Sequence, residues 1–473
     1  MSEERIIRDV EITDAGSEGM AIGKSGDKVI FIPFVVPGDI VDVKVIRRKK
    51  RYLEGRAVHF HQYSALREEP FCSHYGTCGG CKWQGMKYGN QLFYKQKQVE
   101  DNFRRIGKFT FPALLPIVGA DKTTHYRNKI EFAFSNRRWL TEDEIKNKDI
   151  SFNAYALGFH VPTFFDRVID IHTCYLQADP SNEMRNFLRK YALEHSLSFY
   201  DARNWTGLMR NVFFRNTSAG EWMVIVVFGY DDKEVIHRLL GEFQQHFPEV
   251  SSLYYIINGK KNDTISDLDP ILFAGNAMIT ETLTYDEETK NPVRIRIGPL
   301  SFFQTNTLQA GKLFSIARKF ASIQPHELVY DLYTGAGSIA CYVSGDARMV
   351  VGVESVAAAI EDAKENARLN GIRNTRFFTG EAERILNPDF TTTQGSPDVI
   401  ITDPPRAGMH ARVVETILSL SPSRIVYVSC NPATQARDIS LLADGYEVTK
   451  VQPVDMFPHT QHVENVVLLI KKN

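Results

Sequence analysis

The chain has 473 residues, too many for one ordinary hydrophobic core, and at ~100–200 residues per domain it divides into two to four. Hydrophobic residues make up 43% and charged residues 24%, a globular balance that excludes disordered and fibrous classes. With 56 Lys+Arg against 57 Asp+Glu the net charge is −1, so a nucleic-acid partner has to be sought in local clusters.

Residues 1–10 alternate charges without the apolar core of an export signal, and no apolar run nears the ~18 residues a membrane helix needs. A cytoplasmic protein with no membrane partner is expected, and nothing calls for an obligate protein partner. Val29–Val36, Asp39–Arg47 and Tyr52–Phe60 are rich in β-branched and aromatic residues and are punctuated by Gly26 and Pro37-Gly38. Such short strands predict a small OB-like barrel. The run Arg47-Arg48-Lys49-Lys50-Arg51, followed by Tyr52, is either a solvated hairpin tip or a phosphate grip with an aromatic free to stack.

From Phe71 the composition changes: Cys72, Cys78 and Cys81 fall among Gly76, Gly79 and Gly80, and a helical stretch runs from Asn90 to Arg105. Between Tyr126 and Arg296 strand-like runs (Lys129–Phe134, Ala156–His160, Asn211–Arg215, Trp222–Phe228, Leu253–Ile257) mix with helical ones (Asn182–His195, Lys233–Phe247), an α+β pattern.

The last third is clearest. Leu328–Leu332 is an apolar strand leading through Tyr333-Thr334-Gly335-Ala336-Gly337-Ser338 into a short helix. Further strands are expected at Met349–Val353, Arg376–Thr379, Val399–Thr402 and Arg424–Ser429, with helices at Val356–Leu369, Arg412–Leu420 and Ala433–Leu442. This alternation predicts a parallel, doubly wound sheet whose ligands lie beyond the carboxyl ends of its strands. Asp331, Glu354, Asp403 and Cys430 all lie at such ends.

The glycine turn lacks the Lys-Ser/Thr of a phosphate loop and the three-glycine dinucleotide fingerprint, which favours S-adenosyl-L-methionine, with Glu354 placed to accept from ribose hydroxyls. Asp403-Pro404-Pro405-Arg406 is a rigid loop aiming Asp403 into the crevice. Cys341, inside a predicted helix, reads as a core residue, whereas Cys430 in Ser429-Cys430-Asn431-Pro432 stands on a loop as a nucleophile. Glu464 begins the final strand-like run and can return to the crevice as a base. Cys72, Cys78 and Cys81, spaced C-x5-C-x2-C, need a fourth ligand, for which Cys174 is the remaining candidate; zinc and iron–sulfur both accept four thiolates.

Together, Cys72-x5-Cys78-Gly-Gly-Cys81, Asp331-Leu-Tyr-Thr-Gly-Ala-Gly, Asp403-Pro-Pro-Arg, Ser429-Cys-Asn-Pro and His462-Val-Glu464 resemble the bacterial RNA uracil-5-methyltransferases, nearest the class acting on 23S ribosomal RNA. The resemblance implies a TRAM barrel over residues 1–64, a central α+β domain with an iron–sulfur loop over 65–296 and a Rossmann-like methyltransferase domain over 297–473. It further implies a [4Fe–4S] cluster on Cys72, Cys78, Cys81 and Cys174, and S-adenosyl-L-methionine held by Gln304, Tyr333, Glu354 and Asp403. Cys430 is the implied nucleophile and Glu464 the base, acting on a flipped or looped-out uridine. A transfer-RNA enzyme of the same chemistry is the alternative. An RNA cytosine-5-methyltransferase is disfavoured because Arg406 stands where such enzymes carry a cysteine, and a non-catalytic redox protein because the catalytic residue types are all present.

Overall fold

The computed structural model describes residues 6–146, 154–162, 164–284 and 292–472. The first five strands, β1 (Ile6–Ala15), β2 (Met20–Ser25), β3 (Lys28–Pro33), β4 (Ile40–Arg48) and β5 (Tyr52–Gln62), close into a barrel in the order β1-β2-β3-β5-β4. Alternate residues fill it: Ile30 and Ile32 from β3, Val41 and Val43 from β4, with Val10, Ile12 and Leu53. Gly55 is required here, since a Cβ would sit 2.4 Å from a Val43 methyl. β1 and β2 lie outside the segments expected from sequence: in β1 the exposed charges Arg8, Asp9 and Glu11 hide the inward face, and β2 is short and interrupted by Gly23.

A second sheet runs in the order β12-β11-β10-β9-β6-β7-β8. Its members are β6 (Lys129–Ser135), β7 (Ala156–His160), β8 (Val168–Asp170), β9 (Met209–Asn216), β10 (Trp222–Phe228), β11 (Val250–Ile257) and β12 (Ile271–Gly275). The inner strand β10 is apolar throughout because both its faces are covered. Trp222, Val224, Val226 and Phe228 pack under the helices Ser181–Glu194 and Lys233–His246. Met223, Ile225 and Val227 join the core shared with the helix Thr307–Ala321. The hairpin β13 (Ile279–Leu283) and β14 (Val293–Ile297) packs into that shared core.

The third sheet holds β15 (Leu328–Leu332), β16 (Met349–Glu354), β17 (Thr375–Thr379), β18 (Val399–Thr402), β19 (Arg424–Ser429), β20 (Tyr446–Val454) and β21 (Glu464–Lys471). Its order is β17-β16-β15-β18-β19-β21-β20; the first five are parallel, and β21 runs antiparallel to both its neighbours. The strand order reverses at β15, so the ligand crevice opens above β15 and β18. The helix Tyr88–Asn102, far away in sequence, packs on this sheet's outer layer through Val99, with Phe103 directly after it. Cys341 is buried in the core, as expected of a helix-interior thiol. No helix among the described residues is long and apolar enough to cross a membrane.

Candidate active site

The crevice is built by the turn after β15. Tyr333, Gly335 and Gly337 have φ of 63°, 55° and 75°, a left-handed sequence that reverses the chain into the helix Ser338–Val343. At Gly337 a side chain would stand 2.9 Å from the Ala363 methyl, so the turn lies flush on its neighbouring helix. Glu354, ending β16, accepts from Gly335 N at 3.2 Å and from Val356 N at 2.9 Å, which fixes its carboxylate at the crevice rim. Asp331 is fully buried; Thr334 Oγ1 donates to its Oδ2, while Oδ1 has no partner among the described residues. Burial, with Glu354 nearby, pushes its carboxyl up to about 7.

Gln304 lies in the segment before the helix Thr307–Ala321. Its carbonyl accepts from Asn128 Nδ2 at 2.9 Å, and Ser301 Oγ donates to Asp362 at 2.6 Å on the helix that follows Glu354. Tyr333 is half-buried, its hydroxyl pushed up to about 12 by burial and by Glu383.

Cys430 and Glu464 are brought together by sheet register. Ser429 pairs with Asn465 across β19 and β21, so the residue after one and the residue before the other meet at the same edge. Asn431 caps the helix Pro432–Leu442 by accepting from Ala433 N at 3.1 Å, holding Cys430 in the bend between strand and helix. Burial pushes the Cys430 thiol up to about 11, with Glu464 and Asp403 adding to the rise and Arg406 opposing it. Glu464 is buried and its carboxyl is raised to about 8 by burial and then by Asp403, again against Arg406. Asp403 is raised to about 7 by burial, then by Asp331.

The four cysteines expected to share a ligand line a single cleft of about 420 Å³, together with Arg406, Phe457 and His462. All are free thiols, and burial pushes the Cys78 thiol up to about 11 and Cys81 further. Cys72 N donates to Gln84 Oε1 at 2.9 Å and Cys174 N to Asn182 Oδ1 at 2.7 Å, so both ends of the set are anchored. Gly79 packs so tightly on Pro162 that a Cβ would stand 2.7 Å from it.

At the barrel, Arg47–Arg51 form the exposed β4–β5 tip, with Arg47 3.6 Å from Glu54. Tyr52 does not stand free: on the barrel's outer face, opposite to Leu53, it is half-buried and packs edge-on against Phe31, ring centroids 5.4 Å apart.

Comparison with known proteins bears directly on this arrangement. Residues 272–472 match the tRNA (uracil-5-)-methyltransferase family, and residues 2–58 match the TRAM domain. An uncharacterised RNA methyltransferase of Bacteroides thetaiotaomicron is 54% identical over 96% of this chain and 99% of its own length. The chain belongs to the RNA uracil-5-methyltransferase family. An uncharacterised RNA methyltransferase of Porphyromonas gingivalis is 49% identical to this methyltransferase, over 98% of this chain and 99% of its own. Among solved structures, the Pyrococcus abyssi tRNA (uracil-54, C5)-methyltransferase in complex with S-adenosyl-L-homocysteine matches with a TM-score of 0.72 and 27% identity, over 98% of this chain and all of its own.

Two features of the methyltransferase site were not singled out from sequence. Arg406 was read as a motif member and as a mark against cytosine chemistry, and the buried pair Lys95–Asp455 gave no signal, since a lysine in an amphipathic helix looks solvent-facing. A base raised to about 8 works only when ionised. With Glu464 in that role, the rate at which the methylated covalent adduct releases its RNA is expected to climb with pH and level off above about 8; a release rate flat from pH 6 to 9 would remove Glu464 as the base.

Proposed function

We propose that this enzyme methylates C5 of a specific uridine in 23S ribosomal RNA, in the cytoplasm, with S-adenosyl-L-methionine as donor. The observation that carries the chemistry is the meeting of Cys430 and Glu464 at one sheet edge beside the β15–β18 crevice. The crevice suits a cationic, hydroxyl-rich donor: Glu354 stands at the end of β16, and Asp331 keeps a buried oxygen unpartnered among the described residues. Gln304, Tyr333, Glu354 and Asp403 are the residues assigned to hold it.

Cys430 adds as thiolate to C6 of the uracil, which places carbanion character at C5. S-adenosyl-L-methionine supplies the methyl group that this carbon takes. Glu464 then removes the C5 proton, the C5–C6 double bond reforms and the Cys430 sulfur leaves. Cys430→Ala is therefore expected to abolish methylation while S-adenosyl-L-methionine binds within a few-fold of normal by calorimetry. Substantial turnover in this variant would defeat the covalent route.

The barrel, with its Arg47–Arg51 tip, is assigned to grip RNA phosphates. The likeness to the Pyrococcus abyssi enzyme over the whole chain supports transfer RNA as the second reading. Mapping 5-methyluridine in ribosomal and transfer RNA from a deletion strain separates the two: loss from 23S RNA supports the first, loss from transfer RNA the second.

The four-cysteine cleft fits a [4Fe–4S] cluster. Four thiolates on one zinc at ~2.3 Å would stand about 3.8 Å apart. Among the described residues no three of these sulfurs lie within 4.8 Å of one another, yet all face one cleft of about 420 Å³. A cluster there would supply four covalent ties between the 72–81 loop and the segment at Cys174. Anaerobically purified protein is expected to contain iron and acid-labile sulfide, and Cys78→Ser to lower stability and RNA affinity more than the rate at saturation. Zinc without sulfide would refute the cluster.

A further inference from the structure

We propose that Gln91 is a positioning residue for the catalytic base: its carboxamide clamps the loop 455–463, and that loop aims Glu464 at the C5 proton. This rests on the reading of Glu464 as base. Among the described residues no hydrogen bond holds the Glu464 carboxylate. A carboxylate left without donors keeps the proton affinity a base needs, but it gives up the tether that would orient it. Its aim is therefore set by its backbone.

Val454 pairs with Glu464 across β20 and β21, so residues 455–463 are the loop of a hairpin. A hairpin loop of this length is ordinarily exposed and mobile. Here Asp455, Met456, Pro458, His459, Thr460 and Val463 are buried, and a buried loop needs partners for its backbone polar groups. Five consecutive carbonyls find them in four separate segments. Those of Asp455 and Met456 accept from Gln309 Nε2 at 2.8 Å and Asn306 Nδ2 at 3.0 Å. Those of Phe457, Pro458 and His459 accept from Lys95 Nζ at 3.0 Å, Tyr126 Oη at 3.1 Å and Trp83 N at 2.9 Å.

Gln91 locks the last of these. His459 has a left-handed φ of 65°, which its β-carbon disfavours, so this turn has to be held from outside. Gln91 is fully buried on the helix Tyr88–Asn102, and its Oε1 accepts from His459 N at 2.8 Å. Its Nε2 donates to the Met86 carbonyl at 2.7 Å and the Trp83 carbonyl at 3.1 Å. With Trp83 N on the His459 carbonyl, one carboxamide closes a ring that fixes both backbone polar groups of His459. Beyond it the loop is tied to itself: Thr460 Oγ1 donates to the Phe457 carbonyl at 2.8 Å and accepts from His462 N at 3.3 Å. Only Val463 then separates the fixed segment from the base.

The step at stake is release. Glu464 takes the C5 proton, the C5–H electron pair forms the C5–C6 double bond, and the Cys430 sulfur leaves with the S–C6 pair. A group displaced by about 1 Å loses on the order of 10²-fold in its step. Addition of the sulfur and transfer of the methyl group use other residues and should be spared.

The test follows full-length enzyme, total RNA from a deletion strain and S-adenosyl-L-methionine labelled in its methyl group on denaturing gels. Gln91→Met keeps the side chain's bulk and removes both ends of the clamp. Tyr126→Phe removes only the Pro458 tie and keeps the test decisive if Gln91→Met does not fold. Release from the labelled adduct is expected to slow about 10- to 100-fold in Gln91→Met and about threefold in Tyr126→Phe, with S-adenosyl-L-methionine binding within about threefold of wild type. Leu239→Ala, a truncation in the core under the second sheet, is the control for lost stability and is expected to accumulate no adduct. Adduct in that control as well would make the effect one of stability and overturn the proposal. So would wild-type release in every Gln91 and Tyr126 variant that folds, beside an adduct in Glu464→Gln. No adduct in Glu464→Gln would instead overturn the base reading, and the proposal with it.

Discussion

Replacing Glu464 by glutamine is expected to leave the protein covalently attached to its RNA. Glutamine keeps the shape of the side chain and the backbone pairing of Glu464 with Val454, so β21 and the position of Cys430 are preserved. Addition of the sulfur and transfer of the methyl group do not require the base. Release does: with no group to take the C5 proton, the C5–C6 double bond cannot reform and the sulfur stays on C6. Turnover should fall about 10²–10⁴-fold, the range for loss of a positioned base. The species that accumulates should survive a denaturing gel and carry label from the methyl group. Free, methylated RNA made at the wild-type rate, with no slow-migrating band, would take Glu464 out of the reaction.

The largest expected loss of stability is at Lys95. Its ammonium lies 2.5 Å from Asp455 Oδ1 with both side chains fully buried, and it also donates to the Phe457 carbonyl at 3.0 Å. Asp455 further accepts from Tyr88 Oη at 2.8 Å and Phe457 N at 3.0 Å. Lys95→Met would leave that carboxylate without its counter-charge in a dry interior, at a cost of about 3–5 kcal/mol, read from the urea midpoint. Lys95→Met combined with Asp455→Leu should recover much of the loss, since a buried pair replaced whole by apolar side chains is often near neutral. A single variant losing under about 1 kcal/mol would mean that water reaches the pair.

The C-terminal sheet was legible because each of its strands is an apolar run bounded by a turn, and Leu328–Leu332, Val399–Thr402 and Arg424–Ser429 stand where expected. Trp222–Phe228 was equally plain, since cores on both faces leave no polar residue in it. The strands Ile271–Gly275, Ile279–Leu283 and Val293–Ile297 were missed: all three are only five residues long, and the last two carry Glu281, Arg294 and Arg296, which read as loop. Glu281 is in fact buried, accepting from Ser218 N at 3.2 Å and Thr307 Oγ1 at 2.7 Å, a partnership no local pattern announces. At the site, strand ends disclosed Glu354, Asp403 and Cys430. What joins Glu464 to Cys430 is a pairing register, and what joins Cys174 to Cys72 is a shared cleft; both are properties of the folded chain.

The packing of the helix Tyr88–Asn102 against the C-terminal sheet sets the order in which the protein can mature. Its partner Asp455 is synthesised 360 residues after Lys95, which at ~5–20 residues per second is a delay of about 20–70 s. Until then Val99 and Phe103, both with no exposed surface in the finished protein, have no sheet to lie on, and Lys95 remains hydrated. Gln91 waits equally long for His459, whose N–H donates to its Oε1 at 2.8 Å. The barrel can close at once from the first strands to emerge, whereas this helix is held over as a sticky intermediate. Nascent chains stalled before residue 455 should therefore recruit chaperones through the segment 88–107, and lose that dependence once β20 and β21 have been made.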